Sequence, residues 1–267
     1  MNRRQVVSAA VAAAVSLVLA GCGDKTSQEL KVGATAGPHA AIVAEAAKVA
    51  AKSGLKVKVV EFTDYITPNR ALADKALDVN VYQHEPFIKN FNKNQNTNLV
   101  KIADAVVQPM GLYSNTVKSL EAVPEGAKIA IPNDPTNGGR ALILLRAAGL
   151  IDLKSGVTGN TATVADITVN TKHFKIAELE AAQLPRSLED VDVACVPMNY
   201  AISGKLSPEK QGFYFESREA PFALMVIAAR PDNAESKEVK TFVKAYQSPE
   251  VKAFIESTFK GAVKAAW

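Results

Sequence analysis

The chain has 267 residues, 48% of them hydrophobic, and carries a formal net charge of +4. This length exceeds one average domain and the composition supplies sizeable cores, so two lobes are expected. The basic residues form no blocks, which argues against a nucleic-acid partner, and no low-complexity tract or simple repeat appears.

Arg3 and Arg4 precede an apolar run from Val6 to Ala20, the pattern of a signal peptide over residues 1–21. The run is about fifteen residues, short of the roughly twenty that span a bilayer as a helix. A retained transmembrane anchor is therefore not expected. Leu19, Ala20, Gly21 and Cys22 have the form of a bacterial lipobox, in which cleavage frees Cys22 to carry acyl chains on its thiol and its new amine. Each buried methylene adds roughly 0.8 kcal/mol of membrane affinity, so Cys22 is the expected lipid anchor to a membrane outside the cytoplasm. Residues 22–29 are small and polar, suiting a tether. Asn2-Arg3-Arg4-Gln5 faintly resembles a twin-arginine signal, but ordinary Sec signals carry arginines there too and Sec export is the preferred reading, while Gly23 and Asp24 leave inner and outer membrane both open. Loss of Arg3 and Arg4 reduces the side-chain charge to about +2. The only other cysteine, Cys195, lies in the apolar run Val191 to Val196 and is expected to be buried and inert.

After the tether, Leu30 to Ala34 reads as a strand and Pro38 to Lys52 as an alanine-rich helix that proline begins and Gly54 closes. Leu55 to Phe62 alternates as a strand does, Pro68 to Ala76 is helical, Asp78 to Val81 is a strand, and a helix starts at Pro86. The pattern restarts with a strand at Lys128 to Ile131, a loop Pro132 to Gly139, and a helix from about Gly138 to Ala148. Further strands are expected at Ile167 to Val169, Lys175 to Leu179, Asp192 to Cys195 and Phe213 to Glu216. Helices at Ser236 to Tyr246 and Pro249 to Phe259 close the chain. Strands alternating with helices predict an α/β fold with each lobe a mainly parallel sheet. Val106 to Gly111 and Ala220 to Ala223 suit crossings between the lobes. The expected division is 30–108 with 226–267 for one lobe and 109–225 for the other, with a ligand cleft between them.

Pro132 to Arg140 is the densest constellation, and loops that follow parallel strands collect ligands. Helix-start amides and the Arg140 fork would together suit a carboxylate. The same residues fit a plain helix start equally well, with Asn137 as cap and Arg140 in water. Tyr82, Gln83, His84, Glu85, Pro86 and Phe87 form a second cluster, with Asp64 and Tyr65 on an earlier loop. These rings suit an apolar pocket with a polar rim, although a lone His84 is usually structural. His39, His84 and His173 show no metal-ligand spacing, Gly33 to Pro38 does not match a dinucleotide fingerprint, and no P-loop is present. No metal, no cofactor and no catalytic motif are expected. An enzyme built on His84 with Asp134 or Glu85 would lack a nucleophile.

In order along the chain stand Lys31-Val32-Gly33, Asp64-Tyr65, Pro68-Asn69, Gln83-His84 with Pro86, and Pro132-Asn133-Asp134-Pro135-Thr136-Asn137 with Gly139-Arg140. Glu178-Leu179-Glu180, Gln183-Leu184-Pro185-Arg186-Ser187-Leu188, Gly261-Ala262-Val263-Lys264 and Trp267 follow. These strings resemble the lipoproteins that serve methionine ABC importers, the NlpA/MetQ family, over nearly the whole mature chain. The resemblance implies a two-lobe periplasmic-binding-protein fold whose cleft holds methionine, an ABC permease as partner, and a monomer. It places Arg140 at the ligand carboxylate, Asn137 beside it, and Tyr65 and His84 in the cleft. Tyr82 and Phe87 fall where the family commonly has phenylalanine and tyrosine, a swap that relocates one hydroxyl.

Two positions depart from the pattern. Pro197 and Leu224 stand where the family usually has asparagines for the amino acid's polar end, while Asn199 keeps a third. Losing two hydrogen bonds to a charged group, at roughly 1.5 to 3 kcal/mol each, would weaken α-amino-acid binding about a hundredfold or more unless replaced. One expectation is therefore a carboxylate or sulfonate lacking an α-amine, with Leu224 and Met198 forming an apolar wall. Another is that Asn199, a backbone carbonyl or water supplies the missing partner. A surface lipoprotein with an adhesive or envelope role is the remaining alternative.

Overall fold

The computed structural model describes residues 29–267 apart from Asn160. The signal segment, Cys22 and nearly all of the tether lie outside the described residues. Among the described residues no helix is long and apolar enough to cross a membrane.

The chain runs β1 (Leu30–Thr35), α1 (Pro38–Ala51), β2 (Val57–Phe62), α2 (Thr67–Ala73), β3 (Val79–His84), α3 (Glu85–Gln95) and β4 (Val100–Val107). It continues with β5 (Met110–Tyr113), β6 (Lys128–Pro132), α4 (Pro135–Ala147), β7 (Asp152–Leu153), β8 (Ile167–Val169), β9 (Lys175–Leu179), α5 (Leu184–Ser187), β10 (Val193–Pro197), α6 (Met198–Ser203) and β11 (Gly212–Phe215). It ends with β12 (Leu224–Ala229), α7 (Lys237–Tyr246), α8 (Pro249–Phe259) and β13 (Lys264–Ala265).

Two main sheets result. The first has six strands in the order β13-β4-β12-β3-β1-β2, and the second has five in the order β11-β5-β10-β6-β9. The chain passes from the first to the second through Gln108 and Pro109, and β12 brings it back. The expectation of mainly parallel sheets is corrected here. β1 pairs in parallel with β2 and β3, and β6 with β9 and β10, but β12 is antiparallel to β3 and β4, and β5 to β10 and β11. Parallel pairs come from strand-helix-strand repeats, whereas strands beside a crossing or a return run against their neighbours.

Period-two alternation lets each sheet bury both faces. On β12, Met225 and Ile227 join a core with Ile42 and Val43 of α1, Phe242 and Tyr246 of α7, and Ile255 of α8. Val226 and Ala228 face the opposite way, onto Leu72 of α2 and Ile88 of α3. In the second sheet Ile129, Ile131, Val193 and Cys195 pack on Leu142 and Leu145 of α4, while Ala130, Ala194 and Val196 pack on Leu184 and Tyr200. Each such aliphatic side chain contributes roughly 1.5–3 kcal/mol by leaving water. Cys195 is fully buried as expected, and burial pushes its thiol pKa well up, which keeps it protonated and inert.

Candidate functional site

The carboxyl ends of β1, β3 and β6 and the start of α6 converge on one small buried cavity. Its walls include Tyr65, Tyr82, His84 and Phe87 from the first sheet's side and Asn137 and Arg140 from α4. These are six of the seven ligand residues expected from sequence. Asn199 is 2% exposed on α6 but does not line the cavity, and among the described residues neither polar atom of its side chain has a well-formed partner, though the amide lies near the Tyr65 hydroxyl. The free space is about 20 Å³, room for a water molecule and too little for an amino acid.

α4 starts at Pro135, three residues before the expected start, because Asp134 rather than Asn137 is its cap: the Asp134 carboxylate accepts from the Asn137 backbone N–H at 2.9 Å. Asn137 therefore sits one turn inside, its side-chain amide donating to Asp134 at 3.0 Å and its oxygen 3.1 Å from Nε2 of His84. Nδ1 of His84 accepts from the backbone N–H of Phe87 and so caps α3. Nε2 must then carry the proton and donate to Asn137, so this imidazole is neutral and joins the two sheets' sides. Burial, reinforced by the nearby Arg140 charge, lowers its pKa to about 3.

The plain-helix alternative for Arg140 does not hold, since its side chain is only 3% exposed. Its Nε lies 3.1 Å from both carboxylate oxygens of Glu216, and its Nη2 lies 2.6 Å from Oε2 and 3.0 Å from the Gln108 carbonyl oxygen. Nη1 takes no protein partner among the described residues. The close fit of α4 requires small residues, because a Cβ on Gly139 would collide with the Gly159 carbonyl oxygen.

Rings form the apolar part. Tyr65 stacks tilted on Tyr200 at 4.6 Å between centroids, stands 5.9 Å from Tyr82, and meets Phe87 edge-on at 6.3 Å. The Tyr82 hydroxyl donates to the Tyr65 carbonyl oxygen at 3.0 Å, so it braces a loop. Behind this wall Asn69, Asn80 and Gln83 exchange side-chain hydrogen bonds in a buried network, a structural reason for Pro68-Asn69 and Gln83-His84. Met198 and Met225 line the cavity with Pro197, whereas Leu224 packs elsewhere, among Leu72 and Ile88. The apolar wall is thus Met198 and Met225, not Met198 and Leu224.

Sequence reasoning missed His39, Gln108 and Glu216. His39 is 1% exposed, lines the cavity, and among the described residues has no partner for either nitrogen; burial lowers its pKa to about 3. Its one available signal was its place in a first helical turn after a parallel strand. Gln108 lies in the crossing, with its amide nitrogen buried and without a partner among the described residues. Glu216 stands 76 residues from Arg140, and nothing local marks it. Among the described residues no group of three metal-ligating side chains occurs.

Residues 30–267 match the model of the family described as NlpA lipoprotein. The chain belongs to the NlpA lipoprotein family. Among its relatives, the D-methionine-binding lipoprotein MetQ of Escherichia coli is 42% identical over 265 residues, 97% of each chain. Of solved structures, a nutrient-binding protein of Burkholderia cenocepacia bound to methionine has 46% identity and a TM-score of 0.86, covering 89% of this chain and all of that one. The methionine-binding protein MetQ has 42% identity and a TM-score of 0.85, over 90% of this chain and 98% of that one. The α/β architecture expected from the sequence is the one these solved structures share with it.

Proposed function

We propose that this NlpA-family member is a solute-binding lipoprotein of an ABC importer, that it takes methionine between two lobes, and that it turns nothing over. The observation that carries the reading is a buried cavity in which Arg140 is, among the described residues, the sole charged lining residue, beside aromatic rings and two methionines. A guanidinium suits a carboxylate, and the rings and thioethers suit an apolar, sulfur-containing side chain. The names of the relatives point the same way.

In this reading residues 30–108 with 226–267 form one lobe and 109–225 the other. Contacts between the two sides would latch them: His84 to Asn137, the Tyr200 hydroxyl donating to the Thr63 carbonyl oxygen at 3.0 Å, and the Ser203 hydroxyl, which shares its one proton between the carbonyl oxygens of Asn199 at 2.8 Å and Ala36 at 3.1 Å. Gly37 permits the last contact, since its φ is 95° and a Cβ there would collide with the Ser203 hydroxyl. Because the space is far smaller than an amino acid, a ligand enters by parting the lobes and is enclosed as they meet. Tyr65, Tyr82, His84, Phe87, Asn137 and Arg140 are the proposed contacts. Asn199 and His39, buried with unpartnered polar atoms, are the proposed substitutes at the amine end for the missing asparagines. Acylated Cys22 would hold the monomer at the bilayer for its permease.

Thermal unfolding of the mature protein with L- and D-methionine tests this. A ligand at a hundred times its Kd stabilises the folded state by about 2.7 kcal/mol, a midpoint rise of roughly 5–10 °C at this size. Arg140→Ala should abolish the rise. No rise with either enantiomer at millimolar concentration rejects the methionine reading.

A further inference from the structure

Arg140 meets its ligand already half engaged. The Nε and Nη2 edge, the edge that would grip a carboxylate two-pronged, is occupied by Glu216, whose side chain is only 11% exposed. The backbone N–H of Met110 also donates to Glu216 Oε2 at 3.2 Å, and the Glu216 N–H donates to the Met110 carbonyl oxygen at 2.9 Å, so the carboxylate is fixed on the β5–β11 side. Glu216 itself does not line the cavity. What remains for a ligand is Nη1, an end-on donor with no protein partner among the described residues.

The other ionisable groups around the cavity add no compensating charge. His39 and His84 are buried and neutral, and Tyr65 and Tyr82 are held protonated by burial. Asp134 does not line the cavity: it caps α4 and lines a neighbouring pocket with Asp64 and Glu180, and its negative charge reaches Tyr65 and Tyr82. Arg140 is therefore balanced in direct contact by Glu216, and the next charges out, on Asp134 and Asp64, are negative as well.

We infer that Glu216 is a positioning residue that sets the net charge the cleft accepts: with Arg140 neutralised from behind, the enclosed site favours a zwitterion over an anion of the same shape. A net-neutral ligand leaves no buried charge unbalanced. One that has lost its ammonium leaves a surplus negative charge in a water-poor space, where it is strongly disfavoured. The selection of an amino acid over its deaminated relative is thus built partly into a residue that never touches the ligand. This inference rests on the amino-acid-binding reading above.

The test compares calorimetric affinities of the mature lipoprotein for L-methionine and for 4-(methylthio)butanoate, the same molecule without its amine. Glu216→Gln keeps an oxygen acceptor for Arg140 and removes the charge; Glu216→Ala removes the charge without adding an amide. Both variants should tighten the butanoate and shift the methionine-to-butanoate affinity ratio toward it by at least tenfold, about 1.4 kcal/mol. A merely structural role would weaken both ligands together and leave the ratio unchanged. Methionine binding with the wild-type ratio in whichever variant folds overturns this inference alone. A wild-type protein that binds neither compound overturns the methionine reading and this inference with it.

Discussion

His39 and His84 are 1% and 2% exposed, and burial lowers both imidazoles from 6.5 to about 3. In the unfolded chain both regain the ordinary value, so below about pH 6.5 the unfolded state takes up two protons that the folded state refuses. Stability present above pH 6.5 is therefore lost as pH falls toward 3. At pH 5 the loss is about 2 kcal/mol per histidine, or roughly 4 kcal/mol for the pair, a large part of a typical 5–15 kcal/mol. Carboxylates with ordinary values near 4 contribute little between pH 7 and 5, so that window isolates the imidazoles. Urea unfolding followed by circular dichroism at pH 7, 6 and 5 reads the slope. His39→Gln and His84→Gln should each remove about half of it, whatever they do to absolute stability. A wild-type change below about 1 kcal/mol across the window, or variants that keep the full slope, would refute the reasoning.

The buried pair makes a separate prediction about folding. Arg140→Met leaves Glu216 buried without its counter-ion and should cost about 3–5 kcal/mol in urea unfolding, much of which Glu216→Leu in the same chain should restore; a double variant no more stable than the single one would contradict this. Tyr200→Phe deletes the hydrogen bond to Thr63 and should weaken methionine about fivefold by calorimetry, at a cost near 1 kcal/mol. Unchanged affinity would mean that the lobes need not meet there.

The first strand, the proline-started helix after it and the strand Lys175–Leu179 were legible because period and end signals are local. The start of α4 was not. Asp134 and Asn137 are both capable caps, and Pro135, acceptable only in a first helical turn, favours Asp134. Sheet direction was misjudged because the antiparallel members β4, β5 and β12 were not among the expected strands, and only the path of the chain sets which way they run.

The cavity shows the same division. Tyr65, Tyr82, His84, Phe87, Asn137 and Arg140 stand at strand ends and helix starts, where topology alone gathers side chains, so their convergence was open to inference. By itself the sequence determined the family, the α/β alternation, the lipobox pattern at Cys22 and the loops that would face one another. Only the tertiary structure decided that Arg140 is paired with Glu216, that Met225 rather than Leu224 lines the cavity, and that His39 and Asn199 are buried with unpartnered polar atoms. Patterns of period and capping act over a few residues. Burial and charge pairing depend on which distant segments the two sheets bring within a few ångströms.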